Sequence, residues 1–167
     1  DAVLKAITKK YGNILVNGAQ VFEDLKDMKV IPVSPSLDYA LGGGFREGTW
    51  IQMIGDPKSG KTTTALQFAA TCQKKEYGER PIFYINVEAR LSTKNFEGVE
   101  GLQANKITVV QAEEEPLSAE QYLGAVEKLV KSHPNCVVII DSISSLIAQK
   151  DLDEEVRGDY RPGVPKI

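Results

Sequence analysis

Apolar and polar positions along the chain sort into short strands and amphipathic helices. Leu4, Ile7 and Tyr11 recur at i, i+3 and i+7, which predicts a helix over residues 1–11 with Gly12 as its C-terminal stop. The run Ile14-Leu15-Val16 predicts a strand. Residues 17–30 mix charge with Gly and read as a linker from which Val21, Phe22 and Leu25 can dock. The organised part begins near Ile31, where Ser36 is placed to cap a short helix over 37–41 that breaks at Gly42-Gly43-Gly44. Thr49-Trp50-Ile51-Gln52-Met53-Ile54 predicts a strand with Trp50 in the core, and a helix follows over 61–75, its stripe formed by Ala65, Phe68, Ala69 and Cys72. Further strands are predicted at 82–87, 107–111 and 137–141. A helix before the last of these starts at Ser118, where Ser118-Ala119-Glu120-Gln121 matches a capping box, and carries Leu123, Val126, Leu129 and Val130 inward.

Strands alternating with helices imply an α/β fold, a mainly parallel sheet flanked by helices. Residues 1–30 hold too little apolar surface to form a domain and must pack on something, either their own core or a neighbouring subunit. Residues 31–167 read as a core, and their tail from Asp151 reads as a loop, so the core is expected to stop partway through a larger domain.

Composition narrows the class. The chain has 167 residues, 42% hydrophobic and 26% charged, as one globular domain with a real core requires. No apolar run approaches the roughly 18–20 residues needed to cross a bilayer, and no signal peptide is visible, so no membrane partner is expected. The two cysteines, Cys72 and Cys136, read as small core residues, which fits a reducing cytoplasm. The net charge of −3 argues against a surface that grips nucleic acid as a whole; such a contact has to come from a local patch or a loop.

The chemistry concentrates at Gly55-Asp56-Pro57-Lys58-Ser59-Gly60-Lys61-Thr62, which matches the P-loop (Walker A) pattern G-x-x-x-x-G-K-[ST] between a predicted strand and a predicted helix. A Gly-rich turn lets successive backbone N–H groups point at an anion, and the helix N-terminus adds partial positive charge. Lys61 supplies a mobile cation for the β- and γ-phosphates of ATP, Thr62 a hydroxyl for Mg²⁺, and Thr63 a donor for the α-phosphate. The apolar strand Cys136-Val137-Val138-Ile139-Ile140-Asp141 ends in a carboxylate. Downstream of a P-loop, Asp141 reads as a group that holds Mg²⁺ through its water shell. Glu88 ends the strand Ile82-Phe83-Tyr84-Ile85-Asn86-Val87 at the same sheet edge. Its residues alone leave two readings open: a solvated strand end, or a group that orients or deprotonates the water attacking the γ-phosphate. His133, before Pro134, reads as a turn residue.

With these sites in order, the chain resembles the RecA family of recombinases. Ser34-Pro35-Ser36-Leu37-Asp38-Tyr39-Ala40-Leu41-Gly42-Gly43-Gly44 looks like the family's lead-in to its P-loop, Val87-Glu88-Ala89 like the segment with the catalytic Glu, and 139–146 like the Walker B strand. The resemblance implies a RecA-like P-loop NTPase core and gives Glu88 the catalytic role. It also implies that Lys9-Lys10-Tyr11-Gly12 and the strand after it dock on a neighbouring protomer, so that residues 1–16 build a homo-oligomeric filament. Glu155-Val156-Arg157-Gly158-Asp159 falls where a first DNA-binding loop would lie. Arg157, Gly158, Tyr160 and Arg161 are then the candidates to touch phosphates and stack a base of single-stranded DNA.

The implied function is an ATP-dependent, DNA-stimulated ATPase for homologous pairing and strand exchange in recombination and repair. A chain lacking the rest of the family core is expected to bind ATP with little hydrolysis. Departures are visible: Ser92 and Asn95 stand where the family has an Asp and a Tyr that address adenine, with Phe96 a substitute for stacking, and Arg90 has no assigned role. Divergence of this kind resembles the phage-type, UvsX-like branch. The alternatives are another ATPase on the same core, a DnaB-type hexameric helicase or a KaiC/RadA-like regulator, and a nucleotide-gated adaptor without catalysis.

Overall fold

Three strands rich in β-branched residues carry the architecture: β3 (Ile82–Asn86), β4 (Ile107–Val110) and β5 (Val137–Asp141). They lie in the order β4-β3-β5, and both pairings are parallel. The register sets Ile82 against Val137, Tyr84 against Ile139 and Asn86 against Asp141. The central strand β3 is buried along its whole length, as its continuous apolar pattern requires of a parallel strand covered on both faces. The computed structural model describes residues 2–113 and 115–156, with backbone only for 153–156. A small antiparallel pair, β1 (Val30–Ile31) with β2 (Phe45–Arg46), sits beside this sheet.

Helices cover the two faces by side-chain alternation along the strands. On one face α4 (Lys61–Cys72) packs Ala69 and Cys72 against Ile82 and Ile31, and Leu66 and Ala70 against Tyr84 and Val99. On the other, α6 (Ala119–Ser132) packs Tyr122 and Val126 against Ile85, with Val138 and Ile140 at the margin. Ser118 caps α6 with a reciprocal capping box: its hydroxyl accepts from the Gln121 N–H at 3.2 Å, and the Gln121 side chain accepts from the Ser118 N–H at 2.8 Å. The His133 ring ends this helix and stands edge-on to Phe83, 5.1 Å between centroids.

Several expectations need correction. Residues 49–54 form no strand; among the described residues none pairs with them, and a strand without a ladder has no hydrogen bonds to hold it. Trp50 is accordingly 86% exposed and is not core. Among the described residues Ile14-Leu15-Val16 likewise have no partner strand, and they stay irregular and exposed. The supposed linker contains α2 (Gly18–Lys26), whose first turn is capped by the Asn17 side chain accepting from the Ala19 N–H. The helix α1 (Ala2–Tyr11) ends at Gly12, as its periodicity predicts.

The short helix α3 (Pro35–Leu41) starts at Pro35 with Ser34 at the cap position, so Ser36 lies inside it; the fixed φ of proline suits the first helical position. The helix α4 stops at Cys72, short of Lys75. On α6 the inward set is Tyr122, Val126 and Leu129, whereas Leu123 and Val130 are about half exposed. The acidic stretch read as loop holds α7 (Gln149–Val156).

Candidate functional site

The loop after residue 54 turns into α4 through Gly60, whose φ of 91° belongs to the left-handed region open to glycine. The helix half of the expected strand–loop–helix context forms, and the strand half does not. Lys58 takes a φ of 64°, a further left-handed turn that curls the loop. The Lys61 ammonium folds back over the loop and donates to the carbonyls of Gly55 and Asp56, at 2.8 and 2.9 Å. Lys58, Ser59, Gly60, Lys61, Thr62 and Thr63, with Asn95 opposite, line an open cavity at the helix N-terminus. A helix N-terminus, a lysine and the hydroxyl-bearing residues Ser59, Thr62 and Thr63 thus line one space, a set that suits an anion.

Thr62 and Asp141, far apart in sequence, meet here. The Thr62 hydroxyl donates to Asp141 Oδ2 at 2.8 Å, and the Tyr84 hydroxyl donates to the same oxygen at 2.6 Å. The pair offers hard oxygen donors of the kind a magnesium ion accepts. Among the described residues no cluster of three His, Cys, Asp or Glu could hold a metal alone. A cation between Thr62 and Asp141 therefore needs further oxygens from water or phosphate, as magnesium sites commonly do.

Glu88 stands one strand over, and its backbone N–H donates to the Asp141 carbonyl at 3.3 Å. Its Oε1 accepts from the hydroxyls of Ser142 at 2.7 Å and Ser145 at 2.8 Å, and its Oε2 faces Arg90 at 3.1 Å. The two serine hydrogen bonds, then the charges of Arg90 and Lys61, hold the Glu88 carboxyl below the usual carboxylate range, against the opposing effect of burial. Burial first, and then the bond to Asp141, push the Tyr84 phenol upward, so it stays a proton donor.

Asp56 and Pro57 sit on the exposed outer turn of the loop. Ser92 and Asn95 are engaged with each other: Asn95 Oδ1 accepts from the Ser92 N–H and hydroxyl at the start of α5 (Thr93–Glu97). Phe96 is partly buried and packs beside Leu66 and Val99. Arg157, Gly158, Tyr160 and Arg161 lie outside the described residues. Tyr84, Arg90, Ser142 and Ser145 escaped sequence reasoning as site residues. The signal for the serines was faint, a run of hydroxyls directly after a strand-end Asp; Tyr84 looked like any apolar strand residue.

Comparison with known proteins gives this geometry a context. The chain is 32% identical to "Protein RecA" of Delftia acidovorans over 166 residues, 98% of this chain and 43% of that protein. It is 35% identical to "Protein RecA" of Nitratidesulfovibrio vulgaris over 168 aligned positions, 98% of this chain and 43% of that protein. For "Protein RecA" of Geobacter sulfurreducens the identity is 34% over 166 residues, with 98% and 46% covered. The chain therefore spans a little under half the length of the curated relatives it matches. The RecA N-terminal domain family matches residues 1–164. With a match over nearly its whole length, the chain belongs to the RecA N-terminal domain family.

Proposed function

We propose that this chain is the nucleotide-handling part of a RecA-like recombinase, binding ATP at residues 55–63 and coupling it to filament assembly on single-stranded DNA. The observation that carries the reading is the meeting of three sequence-distant groups at one sheet edge: the Lys61–Thr62 helix start, Asp141 and Glu88. The loop amides and Lys61 bind and orient the phosphates, with the Lys61 ammonium exchanging its loop carbonyls for phosphate oxygens. Thr62 and Asp141 are the residues that would hold Mg²⁺, which when bound neutralises charge on the phosphate oxygens. Glu88, kept ionised by Ser142, Ser145 and Arg90, accepts a proton from water or orients it toward the γ-phosphate. Residues 1–30 form the protomer-docking segment and 31–167 the partial ATPase core. Arg157, Gly158, Tyr160 and Arg161 serve as DNA contacts. Among the described residues no helix is long and apolar enough to cross a membrane.

Binding of a fluorescent ATP analogue, followed by DNA-stimulated turnover, tests the reading. Lys61→Ala is expected to weaken binding at least tenfold, in line with the loss of a charge-assisted contact. Glu88→Gln is expected to keep binding and lower turnover by roughly 10²-fold or more. Turnover that persists in Glu88→Gln removes Glu88 from the role, and Lys61→Ala binding at the wild-type level refutes the site itself.

A further inference from the structure

Asp141 Oδ2 accepts from two hydroxyls, and the two donors differ in what they are free to do. Thr62 lies at the solvent edge of the cavity, in the first turn of α4, where its hydroxyl can turn outward. Tyr84 cannot. Its side chain is 1% exposed and is enclosed by Leu66, Ala70 and Val99. The parallel register explains its reach: Tyr84 lies opposite Ile139, one same-face step before Asp141, so a phenol extended along the sheet meets the carboxylate diagonally. The ring alone would fill this space in a phenylalanine. The hydroxyl adds nothing to packing and would be costly to bury without an acceptor.

We infer that Tyr84 is a positioning residue for Asp141, keeping the carboxylate aimed at the loop when Thr62 gives up its hydrogen bond to take a magnesium ion. This rests on the nucleotide-site reading above. In the metal-free arrangement Oδ2 has two donors, and losing one leaves the other. Once Thr62 turns to the cation, Tyr84 is the donor that remains on Oδ2, so its removal falls on the metal-bound state. Partners that hold a metal-binding carboxylate in line typically contribute strongly to metal affinity.

Tyr84→Phe deletes a single oxygen and leaves the ring. The full chain would be titrated with Mg²⁺ at fixed N-methylanthraniloyl-ATP, reading fluorescence without turnover, and again in EDTA to obtain the metal-free nucleotide affinity. The expected result is a rise of about ten- to hundredfold in the Mg²⁺ concentration for half-maximal binding, with the EDTA affinity unchanged. Asp141→Asn is run alongside. If it raises the Mg²⁺ requirement and Tyr84→Phe does not, the inference on Tyr84 is overturned while the site reading stands. If neither variant alters it, the reading of Asp141 fails and the inference with it. Equal weakening with and without Mg²⁺ marks Tyr84 as packing alone and also overturns the inference. Tyr84→Met, smaller but flexible enough to fill the space and without a hydroxyl, carries the same outcomes should the Phe variant be too unstable to titrate.

Discussion

Glu88 is engaged at both oxygens, by serine hydroxyls on one and a guanidinium on the other. Its folded pKa lies below its unfolded one. The ionised carboxylate therefore adds stability that is present above the unfolded pKa and is lost as the pH falls through the folded value. Ser145→Ala is expected to move this pKa upward toward the ordinary carboxylate range, which ¹³C NMR titration of the labelled side chain reads directly. A second residue-scale expectation concerns Gly44, at φ 129°, where a Cβ would lie 2.1 Å from the Ile31 carbonyl oxygen. Gly44→Ala is expected to cost several kcal/mol by forcing β1 and β2 apart, measured as a lowered urea midpoint. The candidate loop was readable from eight consecutive residues because its chemistry is local. Glu88 and Asp141 stood out as strand-end carboxylates. Their hydroxyl partners did not, because those contacts come from distant chain segments, 57 positions apart for Glu88 and Ser145, while Arg90, two positions from Glu88, carries no local mark of its pairing.

At the scale of elements, legibility followed where the stabilising contacts come from. The box at Ser118 and Gln121 is written within four residues, and α6 begins where the sequence predicts. Ser118→Ala is expected to cost about 1–2 kcal/mol in chemical denaturation, since it removes the cap from a fully buried position. The strands β3, β4 and β5 were visible because β-branched runs flanked by turn residues mark strands. Residues 49–54 have the same apolar character and form no strand, because pairing depends on a neighbour that composition does not encode. The reverse holds for α2, whose mixed charge and glycine obscured a helix that one asparagine side chain initiates.

Across the whole molecule, apolar exposure is uneven. Val3, Tyr11, Ile14, Val16 and Phe22 in the first thirty residues are each more than half exposed, as are Tyr39, Leu41, Trp50, Ile54 and Ile143 further along. The first group lies within one short stretch of chain. A surface of this kind is usually an association surface. In the proposed filament it is the docking segment, so Ile14→Asp is expected to abolish ATP- and DNA-dependent light scattering while leaving binding of the fluorescent nucleotide within about twofold, the size of effect usual for surface substitutions.

The unpaired stretch at 49–54 has a mechanical counterpart. The candidate phosphate loop is fixed at its rear by the packing of α4 and by the Thr62–Asp141 bond, while among the described residues its leading arm has no ladder to brace it. The loop is thus anchored where the helix begins and, among the described residues, unpaired where the chain arrives. Amide protons of residues 50–54 should then exchange with solvent orders of magnitude faster than those of β3, and whatever settles against that arm would set how firmly the loop closes on a ligand.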